Sequence, residues 1–311
     1  MEPPSGRQFE LRRGNQWAVV VEVGGGLREY VVDGLAVLDG YRIDQMADGG
    51  RGQPLLPWPN RLADGQYEFS GRTHQLPIDE VTRRNASHGL TRWLNWHPVA
   101  QSAAHITLEL LLHPRPGYPF TLHLQIDYAL SDDGLAVRTS AHNLGAEALP
   151  FGAGQHPYFS AGTPLVDNAS LTLPARTRLE LDQERRLPTS RSLPVGGSEY
   201  DFAKPREIGQ QLLDDCYADL VRDRDGRARA VLSAAESGRT VTVWADEHYN
   251  YLQVFTGDTL AANRRRRGLA IEPMTCPPNA FRSGTDVIVL EPGTEIEMNW
   301  GVVVDNGLTR R

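Results

Sequence analysis

Apolar and polar side chains alternate with a period of two along much of this chain, and turns rich in Gly, Asp and Pro separate the alternating segments. Residues 120–130 alternate in this way, Ser131-Asp132-Asp133-Gly134 supplies a turn, and residues 135–141 bring the chain back. Successive side chains of a β-strand point to opposite faces, so the pattern predicts antiparallel sheets with one buried face. Three further pairs of segments predict hairpins of the same kind: 17–23 with 27–32, 230–234 with 240–244, and 287–290 with 295–304.

Helical patterns are weak by comparison. Residues 208–217 could form a short helix, but the strand–helix alternation of a Rossmann or α/β-barrel fold is missing. The glycines at 24–26 precede a predicted strand and therefore do not form the phosphate-binding loop that opens a helix. We predict an all-β fold, a large antiparallel β-sandwich, in which residues 1–311 form a single domain.

Charge and cysteine content exclude several classes of partner. The net charge of −7 and a pI near 5.7 argue against nucleic acid or an anionic membrane surface as the main partner. No apolar run has the length of a membrane span, and the first residues lack the apolar core of a signal peptide. Cys216 and Cys276 are the only cysteines, too few for a disulfide framework, so we expect them to be buried thiols of a cytoplasmic protein.

Two ionisable residues share an unusual context, because each directly precedes a proline. His156 precedes Pro157, and Glu272 follows a short apolar run and precedes Pro273. A following proline biases the preceding residue toward extended backbone. The context therefore suits an acid and a base that a site holds in fixed positions.

Four segments in this order resemble the aldose 1-epimerase (galactose mutarotase) family: Pro59-Asn60-Arg61-Leu62, His88-Gly89, His156-Pro157-Tyr158-Phe159, and Glu272-Pro273-Met274-Thr275-Cys276-Pro277-Pro278-Asn279-Ala280-Phe281. The resemblance implies a galactose mutarotase-like β-supersandwich whose sugar cleft lies on a concave sheet face. It also implies that the anomers of a cyclic aldose are interconverted by general acid and base groups, with no metal and no other cofactor.

The resemblance also implies roles for individual residues. Glu272 is expected to act as the base, because burial would raise its pKa from ~4.3, and His156 as the acid, because imidazole titrates at ~6.5. His88 would be a second donor beside the sugar ring. The substrate-binding candidates are Asn60, Arg61, Asp215, Tyr158 and Gln253.

Some of these assignments have alternatives. Arg61 could instead pair with a loop carboxylate, and Trp58 could offer a flat face to sugar or pack in the core. Asp214 is adjacent to Asp215, which we prefer as the hydroxyl acceptor. Gly89 would let the backbone pass close to the ligand.

The leading hypothesis is a mutarotase for a free monosaccharide, with the choice between monomer and homodimer left open. One alternative is a hexose-6-phosphate mutarotase, whose cationic pocket would come from Arg83, Arg84 or the basic run 264–267. That run otherwise reads as a solvated loop. The other alternative is a non-catalytic carbohydrate-binding protein on the same scaffold.

Overall fold

The computed structural model describes residues 2–307, and nearly all of its regular structure is β-strand, as the sequence predicts. In chain order the strands are β1 (Gln8–Arg13), β2 (Gln16–Val21), β3 (Leu27–Val32), β4 (Leu35–Ala36), β5 (Pro54–Leu55), β6 (Arg61–Ala63), β7 (Gln66–Phe69), β8 (Arg72–Gln75), β9 (Asn85–Ser87), β10 (His97–Gln101), β11 (His105–Leu112), β12 (Leu122–Ser131), β13 (Gly134–Asn143), β14 (Leu149–Phe151), β15 (Gly154–Gln155), β16 (Tyr158–Phe159), β17 (Ser170–Thr172), β18 (Ala175–Leu181), β19 (Pro188–Pro194), β20 (Arg206–Glu207), β21 (Asp214–Leu220), β22 (Ala228–Ala234), β23 (Arg239–Ala245), β24 (Tyr251–Phe255), β25 (Leu269–Met274), β26 (Ile288–Leu290) and β27 (Glu295–Asp305). The helices are two 3₁₀ turns, Val81–Arg83 and Val166–Asn168, and α1 (Ala280–Ser283). None of these helices has the length and apolar character needed to cross a membrane.

Two large antiparallel sheets dominate the architecture. The nine-stranded sheet has the order β10-β11-β12-β13-β27-β23-β22-β17-β20, and the eight-stranded sheet has the order β19-β18-β21-β24-β25-β15-β5, with β16 also paired to β25. Buried side chains of both sheets join one apolar cluster, which includes Ile126 and Trp300 from the first sheet and Val254 and Ile271 from the second. The alternating faces of the strands thus meet in a common core, as expected for a β-sandwich.

Three of the four predicted hairpins are confirmed. Strands β2 and β3, β12 and β13, and β22 and β23 pair in antiparallel registers. The fourth is wrong, because β26 pairs with β14 whereas β27 lies between β13 and β23. The eleven-residue β27 buries Met298, Trp300 and Val302 at the centre of the large sheet, which the three-residue β26 could not provide.

The expected helix over 208–217 is also absent from the structure. Strand β21 begins at Asp214 and pairs with β18 on one side and β24 on the other. Residues 214–217 pair with β24, and the N–H groups of Ile208 and Gly209 donate to the carbonyls of Ala169 and Asp167, so tertiary context overrides the weak helical pattern. Both cysteines are buried and unbridged, as the sequence predicts.

Candidate active site

A cavity of about 300 Å³ opens on one face of the eight-stranded sheet, over β21, β24 and β25. Its volume lies at the lower end of the range typical of small-molecule sites. It is lined by Ala47, Gly49, Gly50, Asn60, Arg61, Arg83, His88, Arg92, Trp93, His156, Tyr158, Asp214, Gln253, Phe255, Thr259, Leu260 and Glu272. Seven of the eight site residues expected from the sequence, all except Asp215, therefore meet at one place.

His156 and Glu272 are in direct contact in this cavity. The Nε2 atom of His156 lies 3.3 Å from Oε1 of Glu272, and the side chains are only 7% and 2% exposed. Two ionisable groups from stretches of chain more than a hundred residues apart thus share one buried position. We call them the His–Glu pair.

A gap between two short strands creates this contact. Strands β15 and β16 both pair with β25, at Met274 and at Leu269 and Ala270, and His156-Pro157 lies between them. This edge of β25 is therefore unpaired at Glu272. At the other edge of β25, Glu272 pairs with Gln253 of β24. Proline has no N–H to donate to a ladder, so Pro157 suits the gap.

A loop at residues 47–52 closes the space behind His156. A Cβ on Gly50, which has φ +74°, would lie 2.6 Å from Cδ2 of the His156 ring, so glycine is required there. The ring of Tyr158 stacks on His156 with centroids 5.0 Å apart, and its hydroxyl donates to the carbonyl of Gly49 at 2.9 Å. The Arg51 guanidinium packs over the Tyr158 ring, 4.2 Å from the ring centroid. Tyr158 therefore fixes the orientation of His156.

His88 lies next to His156, with ring centroids 5.5 Å apart. Its backbone is left-handed at φ 61°, and its N–H donates to the carbonyl of Asn60 at 2.9 Å. The expected reason for Gly89 is wrong, however. A Cβ on Gly89 would lie 1.9 Å from the carbonyl oxygen of Leu56, so the glycine allows two backbones to approach and not a ligand.

The geometry of Arg61 is compatible with both alternatives that the sequence left open. It lines the cavity, and Nε and Nη2 form a forked ion pair with Glu80, with a shortest distance of 2.9 Å. Burial lowers the pKa of Arg61, but the negative charges of Asp214, Glu80 and Glu272 outweigh this effect and raise it. Arg61 is thus a fixed cation close to Glu272.

The preference for Asp215 is wrong in geometric terms. Asp214 lines the cavity and accepts a hydrogen bond from Nε2 of Gln253 at 2.7 Å. Asp215 points to the opposite face, where Arg178 contacts it at 3.1 Å. Adjacent residues of a strand face opposite sides, so only one of the two can reach the cavity, and in β21 that residue is Asp214.

Several buried polar atoms around the cavity have no hydrogen-bond partner in residues 2–307: His88 Nδ1, His156 Nδ1, Gln253 Oε1 and Glu272 Oε2. Burying a polar atom without a partner costs ~1–3 kcal/mol. Such a concentration of unpaired donors and acceptors is typical of a site that completes its hydrogen bonds with a polar ligand.

The surroundings shift the pKa values of the His–Glu pair in opposite directions. Burial and the charge of Asp214 raise the pKa of Glu272 well above 4.5, although Arg61 opposes the shift. Burial and the charges of Arg92 and Arg51 lower the pKa of His156 to about 3. Both shifts favour the uncharged forms, a protonated Glu272 and a neutral His156.

Other sequence candidates lie outside the cavity. Trp58 is buried and packs against Phe281, with ring centroids 5.7 Å apart, so it belongs to the core. The run 264–267 does not line the cavity, and it is not simply a solvated loop. Arg266 is buried and pairs with Asp167 and Asp258 at 2.6 and 2.8 Å.

The sequence reasoning missed Arg92, Trp93, and the loop with Gly49 and Gly50. The stretch Asp48-Gly49-Gly50-Arg51-Gly52 carried a usable signal, because three glycines beside an arginine indicate close backbone packing. Trp93, which is 59% exposed, lies at the rim of the cavity and carries no comparable signal in its local sequence.

The turn at residues 182–187, between β18 and β19, connects the two walls of the cavity. On one side Nε of Arg83 donates to the carbonyl of Glu184 at 3.2 Å, and Nε of Arg185 donates to the carbonyl of Arg83 at 2.9 Å. On the other side Nε of Arg186 lies 3.3 Å from Oδ2 of Asp214. The turn therefore fixes Arg83 and Asp214 relative to each other.

Comparisons with known proteins agree with this fold. The profile of the family described as Aldose 1-epimerase matches residues 7–300. The uncharacterized protein YihR of Escherichia coli K12 is 33% identical over 290 residues, which cover 93% of this chain and 90% of that protein. Human galactose mutarotase is 27% identical over 288 residues, with 86% and 81% coverage. A solved Caenorhabditis elegans GalM/aldose epimerase homologue shares the fold, with a TM-score of 0.86, 16% identity, and 96% and 99% coverage. The chain belongs to the aldose 1-epimerase family.

Proposed function

We propose that this protein is a mutarotase, which interconverts the α and β anomers of a reducing aldose by opening and closing its ring. The observation that carries the proposal is the 3.3 Å contact between His156 Nε2 and Glu272 Oε1 inside a buried polar cavity. The anomeric hydroxyl oxygen and the ring oxygen of an aldose are bonded to the same carbon, C1. Two groups that serve these two oxygens must therefore be close neighbours, as His156 and Glu272 are.

The His–Glu pair can open the ring by accepting one proton from the sugar and donating another to it. Glu272 accepts the proton of the C1 hydroxyl while Nε2 of His156 donates a proton to the ring oxygen. The C1–O5 bond breaks and C1=O1 forms, which gives the open-chain aldehyde. After rotation about C1–C2, the C5 hydroxyl attacks the other face of C1, returns its proton to His156, and O1 recovers a proton from Glu272.

These roles require the single proton of the pair to be on His156 when the sugar is bound. Burial alone favours the proton on Glu272. We propose that the sugar changes this balance, because its C1 hydroxyl and the Arg61 guanidinium stabilise a Glu272 carboxylate. Nε2 and Oε1 are within reach of a hydrogen bond, so the proton can move between them before the ring opens.

The remaining residues of the cavity bind the sugar and orient the His–Glu pair toward it. Gln253 and Asp214 are already bonded to each other at 2.7 Å and offer an amide oxygen and a carboxylate to sugar hydroxyls. Asn60 and His88 line the same cavity and add polar groups that can contact the sugar. Tyr158 acts as a positioning residue, because its hydroxyl donates to the Gly49 carbonyl and its ring stacks on His156.

Polarimetry or NMR on freshly dissolved α-glucose, α-galactose and other aldoses, corrected for the uncatalysed rate, tests the proposal. We expect acceleration that depends on Glu272, whereas a carbohydrate-binding protein would bind sugar without accelerating it. A broad panel of neutral and charged aldoses with no acceleration over buffer would sink the mutarotase proposal. The cytoplasmic location and the single domain remain predictions from the sequence.

A further inference from the structure

Three guanidinium groups line the cavity, and the carboxylates that hold them lie behind them. Arg61 and Arg83 share Glu80, and Arg92 pairs with Asp79 at 3.1 Å. Neither Glu80 nor Asp79 lines the cavity, so each arginine is anchored from behind while part of it faces the ligand space. A reaction on neutral sugars needs no such set of cations, because hydroxyl groups are recognised equally well by amides and carboxylates.

Arg92 is the least satisfied of the three. Its side chain is 13% exposed, and its Nη2 atom contacts Asp79 Oδ2 and the carbonyl of Ser87 at 3.1 and 3.3 Å. Its buried Nε atom has no hydrogen-bond partner in residues 2–307. Asp79 itself is 44% exposed and therefore well screened by water, so it neutralises Arg92 only weakly. Arg92 retains capacity for an anionic partner from the cavity side.

The arrangement of charges also indicates which part of a sugar would meet Arg92. Nη2 of Arg92 donates to the carbonyl of Ser87, which directly precedes His88, and the His88 ring lies 5.5 Å from that of His156, so Arg92 lies on the side of these histidines. Asp214 is bonded to Gln253, which pairs with Glu272 in the sheet, so Asp214 lies beside Glu272. In a pyranose, C5 is bonded to the ring oxygen. If His156 protonates the ring oxygen, the substituent on C5 therefore points toward His88 and Arg92.

We propose that the preferred substrate is an aldose with an anionic group, such as a phosphate, sulfate or carboxylate, on its C5 substituent, bound by Arg92 with Arg83. Guanidinium groups bind such oxyanions through paired, charge-assisted hydrogen bonds. Arg83 is suited to a supporting role, because Glu80 and the Glu184 carbonyl occupy Nη1 and Nε and leave Nη2 available. This inference rests on the mutarotase function proposed above and adds the class of substrate.

The test compares kcat/KM for α-glucose with that for α-glucose 6-phosphate, α-glucose 6-sulfate and α-glucuronate, after subtraction of each uncatalysed rate. We expect at least one anionic sugar to be preferred over glucose by about tenfold or more, and the preference to shrink with added salt. Arg92→Gln and Arg83→Gln should each reduce the anionic-to-neutral ratio, Arg92→Gln by about tenfold. The three anions separate a site for a dianionic phosphate from one for a monoanionic group.

Arg84→Gln is the matched control, because this neighbouring guanidinium is 76% exposed and does not line the cavity. Its ratio should equal that of the wild type. Thermal unfolding checks that Arg92→Gln folds, and Arg83→Gln, at a more exposed position, gives an independent second measurement. If glucose is accelerated but no anionic sugar is preferred, or if both substitutions leave the ratio unchanged, this inference fails while the mutarotase function stands. If no sugar is accelerated, the mutarotase function itself fails.

Discussion

Replacing Glu272 with Gln separates the proton transfer of this residue from every other contact that it makes. The amide has nearly the same shape as the carboxyl and can still hydrogen-bond to Nε2 of His156, which lies 3.3 Å from Oε1. It cannot take a proton from the C1 hydroxyl. Glu272→Gln therefore removes one of the two proton-transfer groups while it leaves the cavity lined as before.

The structure sets the size of the expected effect. A positioned general acid or base contributes ~10²–10⁴-fold to the rate, so we expect kcat to fall by that factor. The change in KM should stay below about tenfold, because one neutral hydrogen bond is worth only ~0.5–1.5 kcal/mol. Coupled-enzyme or polarimetric assays over a range of sugar concentrations separate the two parameters.

The same substitution has an opposite effect on stability. Burial raises the pKa of Glu272 in the folded protein above that in the unfolded chain, so the stability that the protonated carboxyl provides is lost as pH rises from about 4.5 through the raised value. Gln carries no such dependence. The difference in melting temperature, Glu272→Gln minus wild type, should therefore increase between pH 5 and pH 8, although the variant is the slower enzyme.

Glu109 offers a matched control, because Oε2 of this residue also contacts a histidine, His123, at 3.1 Å, on a pair that is 37% and 28% exposed. Glu109→Gln makes the same chemical change outside the cavity, and we expect wild-type kinetics and no such pH-dependent gain in melting temperature. A Glu272→Gln enzyme with kcat within threefold of the wild type would refute the assignment of Glu272 as a proton-transfer group. A variant whose melting temperature fell increasingly below that of the wild type from pH 5 to pH 8 would refute the argument from burial.

Three further outcomes follow from the geometry of the cavity. Asp214→Asn should raise KM several-fold or more, because it loses a charge-assisted hydrogen bond to the sugar. Asp215→Asn, on the far face of the same strand, should lower the melting temperature and leave KM unchanged. Equal effects of the two substitutions on KM would contradict the assignment of faces. Gly50→Ala should reduce kcat/KM by up to ~10²-fold, because the added Cβ would displace the His156 ring. Gly34→Ala is the control, because Gly34 has an equally left-handed backbone and no atom within 4 Å of an added Cβ, and this variant should be active. Similar activity of the two variants would refute this role of Gly50. The pH profile of kcat/KM should show no acid limb between pH 7 and pH 5, since burial lowers the pKa of His156 to about 3, and a limb centred near 6.5 would show that the imidazole is not buried as described.

The predictions that succeeded rest on local chemistry. Alternation of apolar and polar residues indicated the paired strands on either side of Ser131 and Gly134, because a buried face demands that period. The proline after Glu272 indicated extended backbone, and Glu272 lies within β25, whereas His156, for which the same was predicted, lies in the gap between β15 and β16. Features of this kind require no knowledge of distant partners.

The predictions that failed depend on contacts between distant segments. No local signal shows that β27 leaves its neighbour β26 to join β13, since the gain comes from burial at the centre of a sheet. The choice between Asp214 and Asp215 depends on which face of β21 looks into the cavity, and the register with β24 decides that. Gly89 was assigned to ligand access, whereas its neighbour is the Leu56 backbone.

The turn at 182–187 ties together the two walls of the cavity through a single short piece of chain. The contacts of one surface turn thus help to set the separation of the walls, and surface turns tolerate changes in length without disturbing the core. We expect a relative with a shorter turn, which lacks these contacts, to have a wider opening and to admit bulkier or longer saccharides. Selectivity would then change while the proposed proton-transfer groups stay as they are.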